Sequence, residues 1–250
     1  MKDLNGKKAI VTGAAQGLGL AMAEGLCTYG VHVCIIDVSP NLLDVVEALK
    51  KKGYQAEGLQ ADLSDQAQIP NVFHQALKLL ESELDILVNN AGIHKPMPAM
   101  DIPIADFQRI LDVNVTTVFQ LSRLAAQKMS EKGKGKIINI ASVLATQGGF
   151  NAAAYSTSKG AVAQLTKSLS NEWAQRGINV NAIAPGYYET ELNRFILNDE
   201  DRFASLVNRI PAGRFGQPEE LAGTVQFLAS NKSNYINGAI IPVDGGFLGR

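Results

Sequence analysis

A short apolar run, a glycine-spaced turn and a helix-patterned segment follow one another in KKAIVTGAAQGLGLAMAEGLCTYG, and few folds accommodate that succession. Ala9, Ile10 and Val11 read as a buried strand, and Leu18, Ala21, Met22 and Leu26 recur at helical spacing. Thr12, Gly13, Gly17 and Gly19 lie between them. Glycine at these places permits a tight turn, close approach of backbone to an anionic group, and close packing of helix on sheet. The first free N–H groups of the helix and its positive dipole end face the turn, as a phosphate or pyrophosphate requires. The same glycines can also serve packing alone, so the next strand matters.

That strand, Val33 to Ile36, ends at Asp37. A carboxylate there is placed to accept hydrogen bonds from the two hydroxyls of an adenosine ribose. It also repels a 2′-phosphate. Val38 and Ser39 bring no compensating cation, and neither does Gln16 inside the glycine loop. The expectation is NAD(H) in preference to NADP(H).

Strand and helix signals then alternate without a linker or repeat. Helical spacing spans Leu42 to Lys52, Val72 to Leu80, Phe107 to Met129, the segment around Tyr155, and Leu221 to Ala229. Strands are predicted at Ala56 to Gln60, Ile86 to Val88, Lys136 to Ile140, Asn179 to Ile183 and Ala239 to Val243. Such alternation implies a parallel sheet with helices on both faces and a ligand crevice at the carboxyl ends of the strands. A single domain over residues 1–250 is expected, with a loop region around 187–210 covering the pocket.

Tyr155 is followed four residues later by Lys159, which puts a phenol and an ammonium on one helix face. A free phenol titrates near ~10. A cation ~5 Å away at an effective dielectric of ~20 is worth roughly 3 kcal/mol, or about two pKa units. On that reckoning the phenol is softened enough to exchange a proton with a substrate oxygen.

Thr12-Gly13-x-x-x-Gly17-x-Gly19, Asn89-Asn90-Ala91-Gly92, Asn114, Ser142, Tyr155-x-x-x-Lys159 and Pro185-Gly186 occur in the order and at the spacings of one family. The chain thereby resembles the short-chain dehydrogenases/reductases from Leu4 to the VDGG turn at Val243 to Gly246. The resemblance implies an α/β Rossmann fold with a doubly wound seven-stranded parallel sheet in the order 3-2-1-4-5-6-7. It implies a catalytic set of Asn114, Ser142, Tyr155 and Lys159. Ser142 would hold the substrate oxygen, Tyr155 would move its proton, and Lys159 would tune the phenol and bind the nicotinamide ribose. Asn114 would anchor a water leading from Lys159 to solvent. Cofactor contacts would come from Gly13, Gln16, Gly17, Leu18, Gly19, Asp37, Asp62, Leu63, Asn89, Ala91, Gly92, Tyr155, Lys159, Pro185, Gly186, Tyr188 and Thr190, with Asp62 beside the adenine and Thr190 at the carboxamide. The tail Phe247 to Arg250 would help pack the subunits of a homotetramer.

Within that family the chain is most similar to sugar-acid dehydrogenases of the gluconate 5-dehydrogenase and 2-deoxy-gluconate 3-dehydrogenase kind. The similarity rests on Asn89 to His94, Gln147 to Gly149, Asn171 to Ala174, Ile178 to Tyr187 and the ending Val243 to Arg250. A secondary alcohol and a ketone would be interconverted on a small sugar acid or polyol. His94, Lys95, Gln147, Tyr187 and Arg194 join Ser142 and Tyr155 as substrate candidates, with Lys95 or Arg194 meeting a carboxylate. Arg214 reads as structural. One rival is a 3-oxoacyl carrier-protein reductase, which generally uses NADPH and is opposed by Asp37. A catalytically silent cofactor-sensing protein is the other, opposed by the intact Tyr155 and Lys159.

A formal net charge of −1 gives no basic field for nucleic acid or an anionic membrane. No apolar stretch approaches the ~20 residues of a membrane span. The opening MKDLNGKKAIV runs almost directly into the first strand, so no signal peptide is expected and the location is read as cytoplasmic. Cys27 and Cys34 match no metal spacing and read as core thiols. No metal is expected.

Overall fold

The structure is a computed structural model that describes residues 1–250, the side chain of Leu192 apart. Seven strands form one parallel sheet: β1 Lys8–Thr12, β2 His32–Asp37, β3 Ala56–Gln60, β4 Ile86–Asn89, β5 Gly135–Ile140, β6 Ile178–Pro185 and β7 Ile240–Val243. Their order is β3-β2-β1-β4-β5-β6-β7, as the resemblance implies. Val11 of β1 registers with Ile35 of β2 on one side and Val88 of β4 on the other. The order reverses at β1/β4, and a crevice opens there beyond the carboxyl ends.

Helices cover both faces, which is why the central strands are apolar without alternation. On one face lie α1 Gly17–Cys27, α2 Leu42–Lys51 and α9 Ala222–Ala229, whose Met22, Leu26, Leu49, Val225 and Leu228 pack on Ala9, Val11, Val33 and Ile35. On the other lie α3 Ile69–Leu79, α5 Thr117–Ser130 and α6 Ala153–Trp173. There Phe73, Leu77, Leu121, Met129 and Leu169 meet Ile10, Ile36, Leu87 and Ile137. Each large side chain so buried stabilises the fold by about 2 kcal/mol. Cys27 and Cys34 are buried, and burial pushes both thiols up to about 12, which leaves them unreactive.

Two segments depart from the sequence expectation. The single helical period over Phe107 to Met129 is two helices, α4 Ile104–Leu111 and α5, joined by a π-helical turn at Asp112–Thr116. The turn shows itself in the Thr117 N–H, which donates to the Asp112 carbonyl five residues back. Val113, Val115, Thr116 and Thr117 are β-branched and favour the α-helix weakly. Side chains stabilise the wider turn: Gln66 Nε2 donates to the Asp112 carbonyl at 3.2 Å and to Thr117 Oγ1 at 2.9 Å, and Thr117 Oγ1 donates to the Leu63 carbonyl at 2.9 Å. The second departure is the loop region around 187–210, which contains α7 Arg194–Leu197 and α8 Glu200–Val207. Asp199 caps α8 by accepting the Arg202 N–H at 3.0 Å.

The glycine turn is stitched to the end of β4. Thr12 Oγ1 accepts the N–H groups of Asn90 and Ala91, each at 3.0 Å, while Asn90 Nδ2 donates to the carbonyls of Thr12 at 3.0 Å and Gly13 at 2.7 Å. No side chain fits inside this stitch. A Cβ at Gly19 would collide with the Gly13 carbonyl and stand 2.5 Å from Asn90 Nδ2. Gly19→Ala is therefore expected to lower stability by about 1–3 kcal/mol, read as a fall in the urea midpoint at unchanged slope. A midpoint equal to that of the parent chain would show that the turn relaxes freely.

Candidate active site

The chemistry-bearing residues gather where the strands end. Beyond β5, Ser142 lies at the start of a short turn and accepts the Leu144 N–H at 3.1 Å, which fixes its side chain. Tyr155 and Lys159 sit on the first turns of α6 and, with Ser142, line a cavity of about 690 Å³. That volume suits a small molecule together with part of a cofactor. Gly92, Pro185, Gly186 and Thr190 line the same cavity.

Lys159 is buried, and its Nζ donates to the Ile140 carbonyl at 2.7 Å. The ammonium lies 5.6 Å from the centre of the Tyr155 ring. Asn114, fully buried in the π-helical turn, is held by three bonds: its Oδ1 accepts the Ile93 N–H at 2.8 Å, and its Nδ2 donates to the Ile93 carbonyl and Ser158 Oγ, each at 3.0 Å. A Cβ added at Gly92 would stand 3.2 Å from Asn114 Oδ1 and 3.6 Å from Lys159 Nζ, so those three residues border one space.

The electrostatics correct one expectation. Burial pushes the Tyr155 phenol up to about 12, and hydrogen bonding toward Ser142 only partly opposes it. Burial also lowers Lys159 to about 8. The pair has the spacing read from the sequence, yet desolvation outweighs the attraction between phenolate and ammonium in the free chain. At neutral pH the phenol keeps its proton.

His94 stands against the Tyr155 phenol, with 4.6 Å between the two ring centres. Its Nδ1 is buried without a hydrogen-bond partner, and burial, helped by the Arg202 charge, lowers its pKa to about 4. His94 lines the cavity as a neutral imidazole, and its unpartnered nitrogen calls for a polar ligand or a water.

Other candidates fall elsewhere. Lys95 pairs with Asp106 and Arg194 with Glu191, and neither lines the cavity, so neither is placed to meet a carboxylate there. Gln147 also lies off the wall, where Gly148 and Gly149 stand instead. The Asn89 side chain is turned into the sheet, donating to Ser122 Oγ at 2.9 Å and Asn139 Oδ1 at 2.8 Å; the neighbouring Asn90 is the one on the wall. Tyr187 lines the cavity against Phe215 and Phe247, while Tyr188 donates its hydroxyl to the Val243 carbonyl at 3.0 Å. Phe247 of the expected subunit-packing tail is buried in its own chain's cavity wall. Arg214 binds Glu220 with two bonds of 2.7 Å, the structural role read from the sequence.

Sequence reasoning missed Asn90, Phe195, Arg202 and Arg209 on the wall. A signal existed for the last two. Arg202, Ser205, Leu206 and Arg209 are spaced as one face of a helix, and all four line the cavity.

The cradle beyond this cavity fits a dinucleotide. Gly13 and Gly17 have φ of +63° and +56°, and a side chain added at Gly17 would come within 3.6 Å of the Thr190 methyl. Asp37 stands at the end of β2, with one oxygen accepting the Ala15 N–H and the other the Ser39 N–H, both at 2.9 Å. Lone pairs remain on both oxygens for ribose hydroxyls. Leu18 reaches the cavity, Gln16 is the N-cap of α1, and Asp62 and Leu63 follow β3 along the same edge. Among the described residues no cluster of three metal-binding side chains occurs, and no helix is long and apolar enough to cross a membrane.

Residues 13–248 match the family described as enoyl-(acyl carrier protein) reductase. The chain is 44% identical over 249 residues to 2-dehydro-3-deoxy-D-gluconate 5-dehydrogenase of Bacillus subtilis (strain 168), covering 99% of this chain and 97% of the relative. It is 39% identical to gluconate 5-dehydrogenase of Gluconobacter oxydans (strain 621H), covering 98% and 95%. The crystal structure of a gluconate 5-dehydrogenase from Burkholderia cenocepacia J2315, in complex with NADP and tartrate, superposes with a TM-score of 0.94 at 37% identity, covering 100% of this chain and 98% of that one.

The orphaned histidine carries a stability prediction. Its folded pKa lies below the unfolded value, so the unfolded chain binds the extra proton between about 6.5 and about 4. Its contribution to stability is present above pH 6.5 and is lost as pH falls through that window. Urea midpoints at pH 7 and pH 5 should differ less for His94→Asn than for the parent chain; equal differences would remove His94 from the acid response.

Proposed function

The chain belongs to the short-chain dehydrogenase/reductase family, and from that membership we propose that it interconverts a secondary alcohol and a ketone on a sugar acid of the gluconate type. The supporting observation is the meeting of Ser142, Tyr155 and Lys159 on the wall of one cavity that adjoins the glycine turn. A bound nicotinamide dinucleotide supplies or accepts the hydride. The protein's share is to place the substrate and move one proton.

In this reading Ser142 Oγ donates a hydrogen bond to the substrate oxygen and holds it beside the phenol. In the direction of reduction Tyr155 donates its proton to that oxygen, and a phenol that titrates at about 12 is in the donor form at neutral pH. In the direction of oxidation the phenol must first give up its proton, and the Lys159 ammonium, 5.6 Å from the ring, offsets the charge that develops. Lys159, which borders the same space as Gly92, would hold the nicotinamide ribose. Asn114 serves as a positioning residue, holding Ile93 and Ser158 at the inner end of the proton path.

The gluconate-type substrate is supported by what the Bacillus and Gluconobacter relatives are named for. The preference for NAD(H) rests on Asp37 and on the lack of Lys or Arg at residues 14–18 and 38–41. The Burkholderia relative is in complex with NADP, so this part of the reading draws on this chain's own Asp37 and not on the relatives. A homotetramer completes the reading as the family's usual assembly.

Steady-state rates over a panel of aldonates and keto-aldonates, with neutral polyols as controls, test the substrate class. Acids should be preferred, and equal rates on polyols would discard it. Tyr155→Phe should lower kcat by at least about a hundredfold while leaving dinucleotide affinity within about twofold; persistent turnover would remove the phenol from the proton path. The ratio of kcat/KM for NAD+ over NADP+ should exceed about 10, which is ~1.4 kcal/mol, and a ratio below 1 would overturn the role given to Asp37.

A further inference from the structure

The cavity wall carries a charge pattern that neither the family motifs nor the relatives' names assign. Among the described residues that line it there is no Asp or Glu, whereas Lys159, Arg202 and Arg209 all do. Lys159 lies at the inner end, on the Ile140 carbonyl. The two arginines lie two turns apart along one face of α8 and its extension.

Their partners are aromatic. The Arg202 guanidinium lies 5.0 Å from the centre of the Phe195 ring, and that of Arg209 lies 4.7 Å from Phe247. Neither forms an ion pair among the described residues, in contrast to Arg194 with Glu191 and Arg214 with Glu220 nearby in sequence. A guanidinium stacked on a ring by its face keeps its in-plane N–H groups free, and these match the two oxygens of a carboxylate. With no acid on the wall to compete, the field inside the cavity favours an anion.

Position narrows the ligand. The His94 ring packs on Tyr155 with 4.6 Å between ring centres and meets Phe195 at 6.2 Å, and Phe195 in turn carries the Arg202 guanidinium at 5.0 Å. The order along the wall is therefore phenol, imidazole, guanidinium. A carboxylate on Arg202 lies beyond His94 from Tyr155, and the His94 Nδ1 between them has no partner in the chain.

We propose that Arg202 and Arg209 are the specificity-determining residues of this site and hold the carboxylate of an open-chain hydroxy or keto acid whose reacting carbon lies several bonds from the acid group. This rests on the function proposed above, names the residues that select its substrate, and replaces the Lys95 and Arg194 expected from the sequence. His94 then hydrogen-bonds a hydroxyl between the two ends.

The test uses the full chain with its dinucleotide and three probes: D-gluconate, 2-dehydro-3-deoxy-D-gluconate and the neutral polyol sorbitol. Arg202→Ala should raise KM for the acids roughly 10- to 100-fold, the range of a lost charge-assisted bond, with dinucleotide KM within about twofold. Arg202→Lys should recover part of that loss, and Arg202→Ala/Arg209→Ala should abolish discrimination between acids and sorbitol. Arg194→Ala, outside the cavity, should leave acid KM unchanged. Thermal melting checks each variant; if Arg202→Ala fails to fold, Arg202→Lys and Arg209→Ala carry the comparison. Equal losses on acids and sorbitol, or losses in kcat alone, would overturn the carboxylate clamp and leave the sugar-acid reading standing. A parent chain that does not prefer the acids would overturn both.

Discussion

Everything at this site depends on the small stitch that joins the end of β1 to the end of β4. Thr12 Oγ1 accepts two backbone N–H groups, and Asn90 Nδ2 returns two bonds to backbone carbonyls. Each such bond contributes about 1 kcal/mol net, and leaving any of its buried partners unmade would cost more. The consequence is geometric as much as energetic. The stitch brings two parallel strands' ends together at the one point in the sheet where the chain order reverses, so the glycine turn and the Gly92 loop form one continuous rim. The glycines are needed because the stitch leaves no room for a Cβ at Gly13 or Gly19.

The reactive end of the site is governed by competition between burial and charge. A phenol and an ammonium at helical spacing invite the simple inference that each stabilises the other's charged form. Both groups are withdrawn from water, however, and desolvation acts on them in opposite directions, raising Tyr155 and lowering Lys159. The Lys159 ammonium is also committed to the Ile140 carbonyl. The free chain thus holds a protonated phenol beside a lysine that is easily neutralised, a state suited to giving a proton away.

How much of this was legible in the sequence follows from which interactions are local. Gly13, Gly17, Gly19, Asp37, Ser142, Tyr155 and Lys159 could be placed because strand and helix periods fix where each element ends, and the sheet's parallel order sends those ends to one edge. The strand limits shifted by only a residue or two. The π-helical turn was not legible, because its stability comes from Gln66 and Leu63, some fifty residues away. Asn89 was misjudged for a similar reason: two adjacent asparagines share a motif, but strand alternation sends one side chain into the sheet and the other to the wall. Lys95 and Arg194 were expected to meet a substrate carboxylate, and each is instead paired with an acid: Asp106, which the fold brings beside Lys95, and Glu191, three residues before Arg194. The four-residue face from Arg202 to Arg209 carried the better signal, but it is recognised only once the segment is known to be helical.

The wide turn at Asp112–Thr116 also works as a crossbeam. One of its flanks is bolted to Leu63 and Gln66, beside the end of β3 where an adenine would rest. Its middle is bolted through Asn114 to Ile93 and Ser158, beneath the reacting groups. Two stretches of the crevice that are far apart in sequence are thereby anchored to a single helical defect.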